Sequence, residues 1–152
     1  PEWFNKPPGT DHPTPPHQGN CYFNLTPPGV LTRWVALDPV DAEKAACATY
    51  GARTSNGARP HDRSSLRGFL QEISDYAAHD RTQKVPIHLQ PCDATVHHGW
   101  TVHRADPNQS TDRQRRSFAM VFKDVRYQRD EELYCRYEQS LATQHSTMRL
   151  NS

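Results

Sequence analysis

The stretch CDATVHHGWTVHRADPNQSTDRQRRSFAMVF, residues 92–122, contains the most informative pattern in the chain. Residues 94–97 and 101–103 contain β-branched side chains, and they predict two strands or one strand kinked around Gly99. A polar stretch containing Pro-Asn follows, and SFAMVF, residues 117–122, predicts a further strand. This part of the chain is therefore expected to be all β.

Further short strands are predicted on the amino-terminal side, at Cys21–Leu25, Val30–Leu37, Cys47–Tyr50 and Lys84–Leu89. The first sixteen residues hold six prolines and predict an extended lead-in without helix. Residues 51–65 predict a loop, Leu66–Tyr76 a short helix, and Asp130 to about Thr143 the one clear helix. Short strands at intervals, closed by one helix, predict a mainly β sandwich or roll with a carboxyl-terminal helix.

Length and composition predict one domain over residues 1–152, with a lean core, because 34% of the residues are hydrophobic and 13 are proline. The net charge is +1 and the basic residues are spread out, which argues against a nucleic-acid partner. No apolar run approaches the roughly 18 residues of a membrane span. The four cysteines contain no CxxC pair, and we expect reduced thiols in a cytoplasmic protein.

Two histidines and one arginine suggest a metal site. His17 and His103 each lie at the edge of a predicted strand, 86 residues apart, and a roll can bring such strands side by side. Arg115 stands just before the SFAMVF strand, where its guanidinium could bind a carboxylate near the metal. Two imidazoles and a carboxylate on one face of Fe(II) leave positions for an oxo-acid and oxygen. On spacing alone, ordinary surface histidines remain the alternative.

Three segments carry a resemblance to a known family: residues 6–43, residues 60–76 and, most specifically, residues 92–122. In the last, a histidine is followed by Pro-Asn, a polar stretch and Arg-Arg-Ser before a strand. The chain resembles the phytanoyl-CoA dioxygenase family of Fe(II)/2-oxoglutarate-dependent oxygenases. The resemblance implies a double-stranded β-helix, a cupin-like jelly roll. Family members are larger, so we expect the carboxyl-terminal part of such a roll, incomplete at the amino terminus.

The resemblance also implies the site residues. His17 would be the first iron ligand and His103 the second, and Arg115 would hold the distal carboxylate of 2-oxoglutarate. Arg116 is the adjacent alternative to Arg115, because the polar stretch leaves the register open by one residue. The implied activity is hydroxylation of an unactivated carbon in a small-molecule substrate.

Four further residues receive expected roles from the resemblance. Trp34 would line the cofactor pocket, with plain core packing as the alternative. Gln18 follows the family pattern beside the first ligand and is assigned to cofactor binding. His97 and His98 are expected to support their strand, and His98 is a rival ligand.

The clearest departure from the family is Gly19, because the family motif is His-x-Asp and this chain has His17-Gln18-Gly19. The missing carboxylate leaves several readings open. The chain could be an oxygenase that recruits a water or Asp11, or a halogenase that binds chloride in the vacated position. It could also be an impaired or partial pseudoenzyme, a non-catalytic β-roll binding module. Ala105, where a small or hydroxylic residue is usual, removes one contact to the oxo-acid.

Overall fold

The computed structural model describes residues 1–42, 47–50, 57–64, 66 and 71–150, and for residues 47–50 and 144–150 only the backbone is considered. In chain order the strands are β1 (Glu2–Lys6), β2 (Thr14–Gln18), β3 (Leu25–Thr26), β4 (Val30–Ala36), β5 (Cys47–Tyr50), β6 (His61–Arg63), β7 (Gln71–Ile73), β8 (Lys84–Ile87), β9 (Ala94–His98), β10 (Val102–Ala105), β11 (Arg115–Lys123) and β12 (Gln128–Arg129). The helices are α1 (Asn20–Phe23), α2 (Ala78–Thr82) and α3 (Glu131–Leu150).

Two four-stranded antiparallel sheets form the body of the molecule. One has the strand order β1-β11-β4-β9 and the other β2-β10-β5-β8. Apart from the neighbouring strands β5 and β8, successive strands of these two sheets alternate between them, which is the winding of a jelly roll. The predicted mainly β jelly roll with a carboxyl-terminal helix is confirmed. We expected the roll to be incomplete at its amino terminus; in the structure β1 forms the edge of the first sheet beside β11.

Strand pleating places alternate side chains inside the roll. On β4 the inward side chains include Val30 and Ala36, which are almost fully buried, whereas Leu31 is 46% exposed. Ala36 packs with Val40 and Leu89 in a small core cluster, and Trp34 lies against that cluster. The lean core expected from composition is therefore an aliphatic cluster of modest size within the described residues.

The proline-rich lead-in contains two strands, β1 and β2, rather than only loop. Strand β2 holds Pro15 and Pro16, which cannot donate backbone hydrogen bonds to a ladder. It lies at the edge of its sheet and pairs only with β10, so the prolines are tolerated there. The prediction of an extended lead-in is confirmed, and the strand pairing is what the sequence did not indicate.

Two predicted elements are wrong. Cys21–Leu25 is mostly the short helix α1, which ends at Asn24 in the left-handed conformation with φ of 47°, a conformation that asparagine tolerates. Gln71–Ile73 forms strand β7, paired with β6, where a helix over Leu66–Tyr76 was predicted. Part of that predicted helix, and much of the predicted loop 51–65, lies outside the described residues.

The long helix α3 extends the predicted helix by several residues at its end. Within the part of the chain that the structure describes, no helix combines the length and the apolar character of a membrane span. Three cysteines are described with their side chains, and all carry thiols: Cys21, Cys92 and Cys135.

Candidate metal centre

His17 and His103 are direct neighbours in the second sheet. They form a cross-strand pair between β2 and β10, and their ring centroids are 4.1 Å apart. Opposite residues in an antiparallel pair share one face, so both rings lie on the same side of the sheet. The structure therefore brings together two imidazoles that are 86 residues apart in the sequence.

Each of these rings is oriented by a hydrogen bond to the main chain. His17 Nδ1 lies 2.8 Å from the carbonyl oxygen of Pro15, and His103 Nδ1 lies 2.9 Å from that of Thr101. A carbonyl can only accept, so Nδ1 carries the proton in both rings. In the neutral imidazole Nε2 then holds the lone pair, and it is the nitrogen that can ligate a metal. Metal-binding histidines are commonly fixed in this way.

Electrostatics keep both rings neutral. Burial lowers the pKa of His17 well below its usual value, and the neighbouring His103 lowers it further. Burial also lowers the pKa of His103. Histidine must be neutral to bind a metal, so both rings are in the ligand form at neutral pH.

A third imidazole faces this pair from the opposite sheet. His97 lies on β9, and its ring centroid is 4.5 Å from that of His103. Its Nε2 atom is buried and has no hydrogen-bond partner among the described residues. Burial and then the charge of His103 lower the pKa of His97 to about 3. His98, the rival ligand, instead accepts a hydrogen bond from the backbone N–H of Trp100.

Position 19 could carry a side chain without a clash at its Cβ. An added Cβ at Gly19 would meet nothing closer than 3.8 Å, and the backbone φ of −57° suits any residue. Asp11, the alternative donor considered above, is exposed. Among the described residues, no group of three or more His, Cys, Asp or Glu side chains is arranged to hold a metal ion as it stands.

The geometry of the two imidazoles nevertheless fits a bound metal. A metal–nitrogen bond of about 2.1 Å puts each ring centre about 3.2 Å from the ion, so neighbouring ligands about 90° apart have centres about 4.5 Å apart. The 4.1 Å separation of His17 and His103 is close to this value. Together with the neutral rings and the fixed Nδ1 protons, this separation is compatible with two nitrogen donors to one metal ion.

Arg115 occupies the start of β11 and points into the roll. It is 3% exposed, its guanidinium lies 5.3 Å from the ring centroid of Trp34, and its Nη1 is 3.4 Å from Ser117 Oγ. Arg116 points outward and forms a bidentate ion pair with Asp38, with both nitrogen–oxygen distances 2.9 Å. Strand alternation thus places Arg115, and not its neighbour, inside the roll.

A buried lysine accompanies Arg115. Lys6 is its cross-strand partner on β1 and is 6% exposed. Its Nζ donates to the carbonyl oxygens of His12 and Asp106. Burial, with the charge of Arg115 as the second cause, lowers the pKa of Lys6 to about 8. This corner of the roll is therefore strongly positive and suited to an anionic carboxylate.

Gln18 alternates with His17 on β2 and is 1% exposed. Its Nε2 donates to the carbonyl oxygens of Gly57 and Trp100, and its Oε1 accepts from the N–H of Arg59. Both amide protons are thus used on the main chain. These bonds tie the segment that begins at residue 57 to the strand that carries His17, so Gln18 acts here by positioning.

His61 is half-buried behind Gln18. Its Nδ1 donates to the carbonyl oxygen of Arg59 and its Nε2 accepts from the backbone N–H of Gln18. A cavity of about 480 Å³ lies beside it, lined also by Asn20, Cys21 and Tyr137. Neither His17 nor His103 lines this cavity, so it adjoins the candidate metal centre without containing it.

Asn108, the asparagine of the Pro-Asn pair, fixes the loop that leads to Arg115. It is 1% exposed, and its Nδ2 is within hydrogen-bond distance of the carbonyl oxygens of Lys6, Pro7 and Arg113. The resemblance depended on this residue, but its contacts were not predicted. For His97 the sequence did indicate a strand face, because the two-residue alternation of the predicted strand 94–97 puts its side chain on the same face as that of Thr95.

The low pKa of His97 predicts an acid-sensitive fold in the metal-free protein. The unfolded state takes up a proton near the ordinary pKa of about 6.5, whereas the folded state does so near 3. Stability is therefore full above pH 6.5 and falls as the pH drops below it. Between pH 7.5 and 5.5 we expect His97 to account for a loss of about 1.4 kcal/mol.

Urea unfolding at the two pH values measures this loss in the wild type and in His97→Gln. The variant should lose about 1.4 kcal/mol less than the wild type between pH 7.5 and 5.5. The exposed control His88→Gln should behave as the wild type. An equal loss in His97→Gln and wild type would show that His97 is not held neutral in the folded state.

The comparisons with known proteins agree with this architecture. The family model described as Phytanoyl-CoA dioxygenase (PhyH) matches residues 1–117. The chain therefore belongs to the phytanoyl-CoA dioxygenase family, and the resemblance noted in the sequence is confirmed. No curated protein sequence matches the chain at a significant level.

Several solved structures share the fold. ThoJ, a non-heme monooxygenase in its apo form, has a TM-score of 0.71 and 24% identity, over 85% of this chain and 46% of its own. EvdO2 from Micromonospora carbonacea var. aurantiaca, complexed with 2-oxoglutarate, has a TM-score of 0.67 and 28% identity, over 80% and 51%. The epimerase SnoN, with Fe3+, α-ketoglutarate and nogalamycin RO, has a TM-score of 0.64 and 26% identity, over 82% and 48%.

The chain thus spans about half the length of the solved structures it matches. Iron and 2-oxoglutarate, the cofactors that family membership implies, are the ones present in the SnoN structure, and EvdO2 holds 2-oxoglutarate. The match establishes the general class, non-heme 2-oxoglutarate oxygenase-like proteins.

Proposed function

We propose that this protein is an Fe(II)/2-oxoglutarate-dependent oxygenase that hydroxylates an unactivated carbon of a small molecule. The observation that carries the proposal is the cross-strand pair of neutral imidazoles, each with its Nδ1 proton held by a main-chain carbonyl. Family membership supports the choice of metal and co-substrate. The thiols of Cys21, Cys92 and Cys135 suit a reducing compartment, and we place the protein in the cytoplasm.

In this proposal His17 and His103 hold the iron through Nε2. Bound iron with 2-oxoglutarate supplies the oxidising power for attack on a C–H bond. Arg115 binds the distal carboxylate of 2-oxoglutarate, in a corner where Lys6 adds positive potential. Trp34 lies under the guanidinium and excludes water from that contact, which strengthens the interaction of opposite charges.

The lack of a side-chain carboxylate at Gly19 favours a second candidate, a chloride-using halogenase. A Cβ there would reach ordinary van der Waals contact with Gly99 and Val30, the nearest atom at 3.8 Å, and glycine itself offers no side-chain donor to the metal. In that case chloride would take the position of the missing carboxylate, and the product would carry chlorine instead of hydroxyl.

Anaerobic addition of Fe(II) and 2-oxoglutarate tests the proposal. The wild type should give the visible charge-transfer band of a chelated oxo-acid, because two imidazoles retain the iron. His17→Ala and His103→Ala should give no band at the same concentrations, since each removes half of the assigned protein donors. The matched control His88→Ala changes an exposed histidine and should keep the band.

A folded wild-type protein without the band would contradict the proposal and favour a non-catalytic binding module. Once a substrate is identified, turnover with and without chloride separates the two candidates. An absolute requirement for chloride identifies the halogenase, and hydroxylated product in its absence excludes it.

A further inference from the structure

We propose that His97 is a third protein ligand of the metal, an imidazole that replaces the carboxylate missing at position 19. This inference rests on the proposed function, because it concerns the same metal. It changes the ligand set from two imidazoles to three. Three neutral imidazoles with open positions are a known ligand set for a divalent metal ion in proteins.

The placement of His97 in the fold supports this role. It projects from β9 of the first sheet, while His17 and His103 project from β2 and β10 of the second. The ring centroids of His97 and His103 are 4.5 Å apart, so both rings can reach one ion once their Nε2 atoms point toward it. The facing sheets therefore bring the three rings close together from both sides.

The Nε2 atom of His97 provides a second, independent observation. It is buried and lacks a hydrogen-bond partner among the described residues. A buried polar atom without a partner carries an energetic cost that native proteins seldom leave uncompensated. A metal ion bound at this nitrogen would remove that cost.

The rings do not form a finished site in the structure, since no three donors are arranged around one point in the described residues. Binding therefore requires the His97 ring to turn about its side-chain torsions toward the pair. Because position 19 is a glycine, no carboxylate from that position competes with His97 for the metal.

Co(II) binding to the metal-free protein tests the inference without any turnover. The measurement is the dissociation constant, from calorimetry and from the visible absorption of Co(II). His97→Ala should weaken binding at least about 100-fold, since loss of a residue that only supports a ligand already costs about 10–100-fold. His97→Gln, which keeps the volume, guards against a folding defect in His97→Ala, and circular dichroism checks both.

Adding Gly19→Asp completes a double-mutant cycle. If His97 occupies the position of the missing donor, the new carboxylate should raise affinity far more in the His97→Ala background than in the wild type. An equal gain in both backgrounds would overturn the inference. The control His88→Ala should bind Co(II) as the wild type does.

The outcomes separate this inference from the proposed function. If His17→Ala weakens Co(II) binding and His97→Ala does not, the assignment of His97 as a third ligand is wrong, and the site with two imidazoles stands. If neither variant changes the affinity of the folded protein, the proposed function fails as well.

Discussion

Gly99→Ala should destabilise the protein by about 3 kcal/mol or more, because the added methyl group meets a fixed neighbour in a fully packed turn. Its Cβ would lie 2.0 Å from Asn20 Oδ1 and 2.7 Å from Val30 Cγ2. Asn20 cannot move aside without cost, because two hydrogen bonds hold it. Its Oδ1 accepts from the backbone N–H of Val30, and its backbone N–H donates to the carbonyl oxygen of Gly99.

The matched control is Gly29→Ala, one residue before Val30. Its Cβ would lie 2.5 Å from the hydroxyl oxygen of Tyr127, the end of a flexible side chain that can swing away. We therefore expect a loss of less than about 1 kcal/mol in the control. Urea unfolding of both variants measures the difference, and equal small losses would show that the Asn20 contact adapts.

Gly99 also connects stability with the candidate metal centre. It stands between His97 on β9 and His103 on β10, where the chain crosses from one sheet to the other. Its N–H donates to the carbonyl oxygen of Val30 at 2.7 Å. Movement of this turn would shift both imidazoles, so Gly99→Ala should also weaken Co(II) binding in the fraction that folds.

The sequence predicted the strands that carry their own signal. Val30–Leu37 is rich in β-branched and aromatic residues, and it matches β4 within one residue. The kink predicted around Gly99 is the turn between two strands that belong to different sheets. By contrast, Thr14–Gln18 contains two prolines and has no intrinsic strand signal. It forms a strand because it pairs with β10, which is distant in the sequence.

The residues of the candidate site also fall into those that the sequence indicated and those that it did not. His17, His103 and Arg115 lie in segments that resemble the family, and the structure places the two histidines side by side and the arginine inside the roll. Lys6 and His97 come to the site only through the register of β1 with β11 and the facing of two sheets. Local sequence patterns do not encode such contacts, which depend on how distant strands pair.

Gln18 shows that a position next to a motif residue does not by itself reveal what the side chain contacts. The resemblance assigned it to cofactor binding, because it stands next to the first ligand. Its amide group is instead engaged by the main chain at Gly57, Arg59 and Trp100. A residue adjacent to a ligand on a strand points to the opposite face of the sheet, and its role follows from what that face contacts.

Arg115→Met should weaken 2-oxoglutarate binding by about 100-fold, since the loss of a charge-assisted, bidentate contact to a buried carboxylate costs about 3 kcal/mol. Arg115 is 3% exposed and lies over Trp34, so water cannot replace the guanidinium in that contact. Methionine keeps the length and the apolar contact with the indole ring. The measurement is a titration of 2-oxoglutarate into the Fe(II)-loaded protein, followed by the charge-transfer band.

Arg116→Met is the matched control, because it removes a neighbouring arginine that points outward. Arg116 pairs with Asp38 at the surface, where an ion pair contributes little to stability or binding. It should therefore leave the affinity for 2-oxoglutarate within about twofold of the wild type. If the two variants lose affinity equally, the inward orientation of Arg115 does not determine binding. If Arg116→Met alone loses affinity, the one-residue alternative left open by the sequence is correct, and the carboxylate binds outside the roll.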